Sequence, residues 1–254
     1  MRVLLVGGSG YVGTFITPYL KARHELRVFD TRPPKHKEVE YVEGSVTDPD
    51  AVSRALDGME SLIWLVMWGP HQLREGSKPT PADEITGHYN ANTLGLHLVL
   101  WKAQGLGIKS GVYTSTVTVH DRSRKWYWME EDVPLDNESV YGLTKGFGEL
   151  ICRYFCRYFD MSIISLRITG PRTREQWIAE RRKPKQYPGG RHLYVTDEED
   201  LANAYLAALE VAKVGHNRFD AVWLAGDERG EEFNLTKAKR LLGWEPRTHL
   251  KIQV

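Results

Sequence analysis

Short apolar runs alternate with amphipathic stretches along the chain as far as about residue 170. The apolar runs are typical of strands buried on both faces, and they lie at 2–6, 26–30, 39–44, 61–68, 110–119 and 161–168. Helix-like stretches separate them at 11–20, 48–58, 85–105 and 140–158. Because strands that alternate with helices over short connections form parallel sheets, the pattern predicts an α/β fold with a Rossmann-type doubly wound parallel sheet.

The pattern changes after residue 169. Residues 170–192 are polar, basic and rich in proline and glycine. One well-marked helix follows at 196–213, with acidic residues in its first turn. We predict a core at 1–169 and a small C-terminal lobe at 170–254 that covers the sheet, with C-terminal elements packing back on the core.

Charge and composition argue against several classes of protein. The 34 Lys and Arg nearly balance the 33 Asp and Glu, so the net charge of +1 gives no support to nucleic-acid or membrane-surface binding. No apolar stretch approaches the ~20 residues of a membrane-spanning helix, and the N-terminal apolar run is too short for a signal peptide. Cys152 and Cys156 lie four positions apart in a helix, where geometry disfavours a disulfide. We expect a cytoplasmic protein with reduced cysteines and no bound metal.

A glycine-rich turn joins the first predicted strand to the first helix. Gly7, Gly10 and Gly13 are spaced as G-x-x-G-x-x-G, with Tyr11 and Val12 in the same turn. Such a turn lets a pyrophosphate approach the backbone and points a helix N-terminus at its negative charge. An unrelated tight turn is the alternative, but the position between strand and helix favours a dinucleotide site.

Two carboxylates follow neighbouring strands and bear on the type of dinucleotide. Asp30 ends the second strand, where a carboxylate accepts hydrogen bonds from the adenosine ribose and repels a 2′-phosphate. Asp30 therefore favours NAD over NADP, although Arg32 lies two residues on. Asp48, after the third strand, is a candidate partner for the adenine amino group and equally for capping the helix that begins at Pro49.

A tyrosine and a lysine, Tyr141 and Lys145, lie four positions apart in a predicted helix and so share one face. Both residue types are common on exposed helical faces, so an exposed surface pair is one interpretation. Acid–base chemistry is the other, because a nearby ammonium lowers the pKa of a phenol from its usual value of about 10.

These motifs together resemble the extended short-chain dehydrogenase/reductase family, in particular its NAD-dependent sugar epimerase/dehydratase group. The resemblance covers nearly the whole chain and includes the glycine turn, Asp30, Asn92 in NANTLGL, VYTSTVTVH, YGLTK and GWEP. The stretch YGLTKGFGELICRYF is similar to the pattern of the short uronate and sugar dehydrogenases. The resemblance implies NAD as the cofactor and oxidation of a hydroxyl carbon as the activity.

The resemblance assigns catalytic roles to Thr116, Tyr141 and Lys145, with Ser115 as the alternative to Thr116. It implies that Tyr141 is the general base in oxidation and that Thr116 binds the reacting oxygen. Lys145 is implied to lower the pKa of Tyr141 and to hold the nicotinamide ribose, while the positively charged nicotinamide ring also favours the phenolate. Asn92 is implied as a supporting residue, in structure or in a proton relay.

The chain departs from the family pattern around the cofactor. The bulky stretch LVMW at 65–68 replaces the small residues usual after the fourth strand, so cofactor contacts there depend on how this bulk is accommodated. By the same resemblance, Val46, Leu65 and Thr169 are predicted cofactor contacts, with Thr169 in the place of an asparagine. Residues 117–118 differ from those that follow the catalytic serine of uronate dehydrogenases, which puts uronate itself in question.

The resemblance favours a free sugar, sugar acid or sugar phosphate, since nucleotide-sugar members of the family have a larger C-terminal lobe. The basic run after residue 170 is a candidate clamp for a carboxylate or phosphate, or else a solvated loop. The aromatic residues at 126–128 stack on a sugar or pack a loop or subunit contact. The predicted substrate-binding residues are Ser115, Thr116, His71, Arg172, Arg174 and Arg191.

Three functions stay open on the sequence. They are a dehydrogenase that releases NADH, an epimerase or dehydratase that retains NAD, and a non-catalytic dinucleotide sensor. Since binding alone needs no phenol, the catalytic set argues against the sensor. The resemblance also implies a homodimer in which helices 85–105 and 140–158 of two copies form a four-helix bundle. The apolar residues that suit this interface or the sheet are Leu94, Leu98, Leu100, Leu150, Ile151 and Phe155.

Overall fold

A computed structural model shows a parallel sheet with helices on both faces. The structure describes residues 1–69, 78–121, 134–183, 186–187, 191–192, 194–215 and 217–252. The strands are β1 Arg2–Val6, β2 Glu25–Asp30, β3 Glu40–Glu43, β4 Ser61–Trp64, β5 Ser110–Thr116, β6 Ser162–Ile168, β7 Pro171–Arg172, β8 Gln186–Tyr187, β9 Arg191–His192, β10 Thr196–Asp197 and β11 Phe219–Leu224. The helices are α1 Tyr11–Lys21, α2 Pro49–Leu56, α3 Pro81–Tyr89, α4 Leu96–Gly105, α5 Val140–Phe159, α6 Arg174–Arg182, α7 Glu198–Lys213, α8 Thr236–Leu242 and α9 Thr248–Lys251.

The large sheet has seven strands in the order β11-β6-β5-β4-β1-β2-β3, and each of its pairings is parallel. The chain builds outward from β1 to β3 on one side and from β4 to β11 on the other, so its direction reverses between β1 and β4. Doubly wound sheets bind ligands at the carboxyl ends of the strands beside such a switch point. The predicted α/β fold with a doubly wound parallel sheet is confirmed.

Two apolar layers fix the helices on the sheet. On one face α1 and α7 pack over β1, β5 and β6, with Ile16 and Tyr205 fully buried. On the other face α2, α4 and α5 pack through Val52, Leu100 and Phe155. Both cysteines are free, as the sequence predicted, and lie on the buried face of α5.

Several predicted boundaries move. The apolar run 61–68 is a strand only as far as Trp64, and the run 110–119 ends as a strand at Thr116. The predicted helix 85–105 begins earlier, at Pro81, because Thr80 and Asp83 form a capping box. It is also interrupted by a π-helical turn, Asn90–Gly95, which contains Asn92.

The C-terminal part of the chain returns to the core, as the prediction of elements packing back allowed. The strand β11 extends the large sheet beside β6, and α7 joins the same apolar layer as α1. A small separate pairing joins β10 to β7. That the residues beyond 169 cover the substrate stays a prediction. In the described part of the chain, no helix is long and apolar enough to cross a membrane.

Candidate active site

The turn between β1 and α1 has positions that only glycine fits. Gly7 has a φ of +82°, and a Cβ atom there would lie 2.8 Å from the backbone nitrogen of Val66. A Cβ atom on Gly13 would lie 2.2 Å from the carbonyl oxygen of Gly8. The absence of side chains therefore lets α1 start close to the turn and lets a ligand approach the backbone.

The first turn of α1 has unused hydrogen-bond donors. Its N-cap residue is Gly10, which makes no side-chain capping bond, so the N–H groups of Tyr11 and Val12 face the turn without a capping acceptor. These donors and the helix dipole suit an anion such as a pyrophosphate. The phenol of Tyr11 donates to Gln176 Oε1 at 2.5 Å, which places α6 beside this turn.

Asp30 lies at the carboxyl end of β2, next to the glycine turn. Its carboxylate accepts hydrogen bonds from the backbone N–H of Ser9 at 3.1 Å and of Arg32 at 3.2 Å. The backbone thus orients a carboxylate at the position where a dinucleotide ribose would bind. Asp48 caps α2 by accepting from Asp50 and the following residue, so its capping role is observed and its adenine contact stays a prediction.

The bulky stretch after β4 leaves the turn accessible. Leu65 is anchored in the core by a backbone hydrogen bond to Val6 at 2.7 Å, and the side chain of Met67 is 53% exposed and points into solvent. The backbone of Val66 lies against Gly7 in the space that a side chain would fill. Of the two alternatives left open for this bulky stretch, these contacts favour local accommodation over a shifted cofactor.

The catalytic candidates meet where β5 ends and α5 begins. Thr116 is the last residue of β5, and Tyr141 lies in the first turn of α5, whose N-cap Ser139 accepts from Gly142 at 3.1 Å. A Cβ atom on Gly142 would lie 2.3 Å from the carbonyl oxygen of Thr118, so glycine lets the helix start close to the strand end. The half-buried phenol of Tyr141 consequently lies within hydrogen-bonding reach of Thr116.

The ammonium group of Lys145 is buried between two strand ends. Its Nζ donates to the carbonyl oxygens of Val66 and Thr114, each at 3.0 Å, and the residue is 2% exposed. Loss of solvent lowers the pKa of Lys145 to about 7. An ammonium has three donors, so one N–H remains beyond these two bonds.

The expectation that Lys145 lowers the pKa of Tyr141 is wrong for the free protein. Burial raises the pKa of Tyr141, and the opposing influence is its hydrogen bond with Thr116. The physical reason is that Lys145 is itself desolvated and its Nζ is directed at carbonyl groups.

The buried position of Lys145 predicts an unusual pH dependence of stability. Its folded pKa of about 7 lies below the ordinary 10.5, so between these values the unfolded chain binds more protons and stability rises with pH. From pH 7 to 9 we expect the free energy of unfolding of the cofactor-free protein to rise relative to that of Lys145→Met, by up to ~1.4 kcal/mol per pH unit. The melting temperature of the natural protein should rise relative to that of the variant over the same range. The buried tyrosines titrate above this window. Parallel pH profiles for the two proteins would contradict the assignment.

Ser115, predicted as a substrate contact, is directed into the core. It is 1% exposed, and its hydroxyl donates to Glu149 Oε1 at 2.7 Å. Glu149 also accepts from Ser165 and forms a fully buried ion pair with Arg167, with 2.7 Å between Nη2 and Oε2. The prediction for Ser115 is therefore wrong, because successive strand residues face opposite sides and Thr116 is the one that faces Tyr141.

Two of the predicted substrate arginines have partners within the chain. Arg172 pairs with Glu180 at 2.6 Å, and Arg174 pairs with Asp197 at 2.6 Å and Glu199 at 2.8 Å. The first pair ties β7 to α6, and the other two tie α6 to the start of α7. A role toward substrate stays untested for both arginines. His71, the aromatic residues 126–128 and the side chain of Arg191 lie outside the described residues.

The remaining cofactor candidates lie at the same edge of the sheet. Thr169 follows β6 and is buried, with its carbonyl oxygen accepting from Thr196 at 3.0 Å. Val46 packs against Gly95 of the π-helical turn. Their contacts with NAD stay predictions.

One side chain beside the phenol of Tyr141 was not among the residues predicted from the sequence. His88, in the last turn of α3, has its ring centroid 5.7 Å from that of Tyr141 and 5.1 Å from that of Trp68. It lies four residues before Asn92, whose Nδ2 donates to Thr144 at 3.0 Å. Residues four positions apart share a helical face, so the position of Asn92 in the family pattern was the sequence signal that could have identified His88.

The fold defines a doubly wound α/β protein with a glycine-rich turn at the switch point of its sheet. A sequence profile described as the NAD-dependent epimerase/dehydratase family matches residues 3–181. The chain belongs to the NAD-dependent epimerase/dehydratase family. The predicted family, an enzyme of this type and the NAD cofactor are confirmed at this level.

Individual relatives are distant. An NAD-dependent glucose-6-phosphate dehydrogenase of Haloferax volcanii is 22% identical over 263 residues, covering 96% of this chain and 92% of the relative. An uncharacterised protein of Sinorhizobium fredii is 28% identical over 82% of this chain, but this chain spans about half of it, 53%. A variant of Agrobacterium tumefaciens uronate dehydrogenase complexed with NAD has the same fold, with a TM-score of 0.72, 21% identity and coverage of 96% and 84% of the two chains.

Proposed function

We propose that this enzyme oxidises a hydroxyl carbon of a sugar, sugar acid or sugar phosphate with NAD as the acceptor. The observation that carries the proposal is the convergence of Thr116, Tyr141 and Lys145 at strand ends beside the glycine turn. A protein that only bound a dinucleotide would need neither a phenol in the cleft nor a desolvated lysine.

Each residue has one task in the proposed reaction. NAD, when bound, would supply the acceptor for the hydride of the carbinol carbon, so that a carbonyl forms as the C–H and O–H bonds of the substrate break. The hydroxyl proton passes to the Tyr141 oxygen, while the Thr116 hydroxyl hydrogen-bonds the reacting oxygen. In its ammonium form, Lys145 has one N–H left for the nicotinamide ribose. The positive charge that NAD carries would favour the phenolate of Tyr141 and so oppose the effect of burial on its pKa.

The substrate class rests on the relatives and on the walls of the cleft. Glucose 6-phosphate and uronate appear in the names of two proteins similar to this chain. Near the phenol, the half-buried imidazole of His88 offers a polar edge, which suits a sugar hydroxyl. The position of α6 beside the glycine turn supports the proposal that the residues beyond 169 cover this cleft.

The direct test is NADH absorbance on mixing the protein with NAD and glucose 6-phosphate, L-arabinose, glucuronate and galacturonate in turn. We expect NADH with at least one sugar. Silence with all of them, together with retained NAD binding, would overturn the dehydrogenase. Mass analysis of the recovered sugars would then separate an epimerase or dehydratase from a sensor, since only a sensor leaves every sugar unchanged.

We also propose a homodimer formed through α4 and α5. Of the apolar residues predicted for this contact, Leu100 and Phe155 are buried against the sheet, whereas Leu94 and Leu150 are about half exposed, at 48% and 51%. Several aromatic side chains extend the exposed apolar face that Leu94 and Leu150 begin: Tyr89, Trp101, Phe147, Tyr154 and Tyr158. An apolar face of this extent supports a second copy as its partner.

If the protein is a homodimer, negative charges placed in the α4 and α5 interface should dissociate it into single chains. Light scattering behind a sizing column should give twice the mass of one chain for the natural protein. The double variant Leu94→Glu, Leu150→Glu should give the mass of one chain, because two-fold symmetry brings like charges together. Leu250→Glu, at a 73% exposed position in α9, is the matched control and should stay dimeric. A natural protein with the mass of one chain would refute the dimer.

A further inference from the structure

His88 forms part of the wall beside the candidate general base. Its half-buried ring lies between the rings of Trp68 and Tyr141. Trp68 reaches this position because Gly87 has no side chain: a Cβ atom there would lie 2.2 Å from the indole Nε1. The imidazole is therefore fixed between two aromatic rings at the edge of the cleft.

A chain of hydrogen bonds sets the proton on the imidazole. Thr144 donates its single hydroxyl proton to the helix carbonyl of Val140 at 2.8 Å, so its oxygen accepts from Asn92 Nδ2 at 3.0 Å. This assignment fixes the orientation of the Asn92 amide. The same Nδ2 lies 3.4 Å from His88 Nδ1. Since an amide nitrogen only donates, Nδ1 is the acceptor and the neutral ring carries its proton on Nε2.

The surroundings also oppose an imidazolium. Burial lowers the pKa of His88, the charge of Lys145 lowers it further, and Glu84, one turn earlier on α3, raises it. The third group that faces the ring is the phenol of Tyr141, which burial keeps protonated in the free protein. A second proton on Nδ1 would point at the Asn92 amide donor. His88 is thus a neutral group, and within the described residues its Nε2–H has no acceptor.

We propose that His88 is a substrate-binding residue whose Nε2–H donates to an uncharged hydroxyl oxygen of the sugar, adjacent to the hydroxyl that Tyr141 deprotonates. The inference rests on the proposed oxidation for the identity of its ligand. An anionic oxygen would favour the imidazolium that the Asn92 amide opposes, so the site selects a hydroxyl. Asn92 and Thr144 are positioning residues that keep this donor in place.

The tautomer is tested without any substrate. In full-length protein labelled with ¹⁵N-histidine, we expect His88 to show the Nε2–H tautomer from pH 6 to 8.5, its signal being assigned by its loss in His88→Gln. Thr144→Val removes the acceptor that orients Asn92, and we expect it to raise the pKa of His88. An Nδ1–H tautomer, or an imidazolium at pH 7 in the natural protein, would overturn the inference.

The contact itself is tested with the panel sugar that gives the most NADH. His88→Phe keeps a ring between Trp68 and Tyr141 but removes the donor, and we expect KM to rise about five- to tenfold with kcat changed less than about threefold. His88→Gln places an amide N–H near the former Nε2 and should recover most of the lost KM. His249→Phe, at a histidine on α9, is the control and should leave KM unchanged.

The two proposals fail in different ways. An unchanged KM in His88→Phe, or a glutamine variant no better than phenylalanine, would overturn the His88 contact while leaving the oxidation intact. Absence of NADH with every sugar would overturn the oxidation, and the tautomer measurement alone would then decide whether His88 is the neutral Nε2–H donor.

Discussion

Tyr141→Phe is expected to lower kcat/KM for NADH formation about 10²–10⁴-fold, the range that a positioned acid–base group contributes. The substitution removes one oxygen and keeps the ring that packs beside His88. NAD binding should be unchanged, because the proposed NAD contacts come from the glycine turn, Asp30 and Lys145. The measurement is steady-state NADH formation, with NAD affinity measured by titration of protein fluorescence.

The pH profile adds a second readout to this variant. Because burial raises the pKa of Tyr141 and oxidation needs the phenolate, the rate of the natural enzyme should increase with pH from 7 to 9. Tyr141→Phe should lose this increase together with the activity. Tyr19→Phe makes the same chemical change on α1, where the hydroxyl donates to Glu198, and should leave the rate unchanged. A Tyr141→Phe enzyme within tenfold of the natural rate would exclude Tyr141 as the base.

Arg167→Met is expected to destabilise the protein by ~3–5 kcal/mol, the cost of leaving a buried charge without its partner. Glu149 is 0% exposed, and burial alone would raise its pKa, but the charge and hydrogen bonds of Arg167, with Ser115 and Ser165, hold the pKa below its usual value. Denaturant unfolding measures the loss. Arg157→Met, at an exposed arginine of the same helix as Glu149, should change stability by less than ~0.5 kcal/mol.

The pH dependence identifies the cause of this loss. Without Arg167, Glu149 should titrate above its unfolded pKa, so the folded variant binds the extra proton and its stability falls as pH rises. The loss should therefore be larger at pH 8 than at pH 5. The double variant Glu149→Gln, Arg167→Met should recover part of the stability. A loss that is independent of pH, with no recovery in the double variant, would point to packing instead of charge.

The sequence predicted those parts of the site whose residues lie close together along the chain. The glycine turn needs only residues 7–13, and the pair Tyr141 and Lys145 needs only one helical turn. The parallel, doubly wound character of the sheet followed from the alternation of strands with helices. Asp30 was predictable because a strand end fixes its place.

Features that depend on contacts across the fold were not predictable in this way. Strand alternation says that Ser115 and Thr116 face opposite sides, but only the position of Glu149 shows which side is the core. The lowered pKa of Lys145 comes from burial between two strand ends. His88 belongs to no motif, and its closeness to Tyr141 results from the packing of α3 on α5.

The backbone of Val66 contacts both the glycine turn and the candidate catalytic lysine. Its nitrogen abuts Gly7 of the glycine turn, and its carbonyl oxygen accepts from Lys145 at 3.0 Å. Both contacts use backbone atoms, so neither depends on the identity of the side chain at position 66. An insertion or deletion of one residue between β4 and this peptide would instead displace the lysine and the cofactor turn together. Length variation in this enzyme should therefore be excluded from residues 65–66 and confined to the chain beyond them.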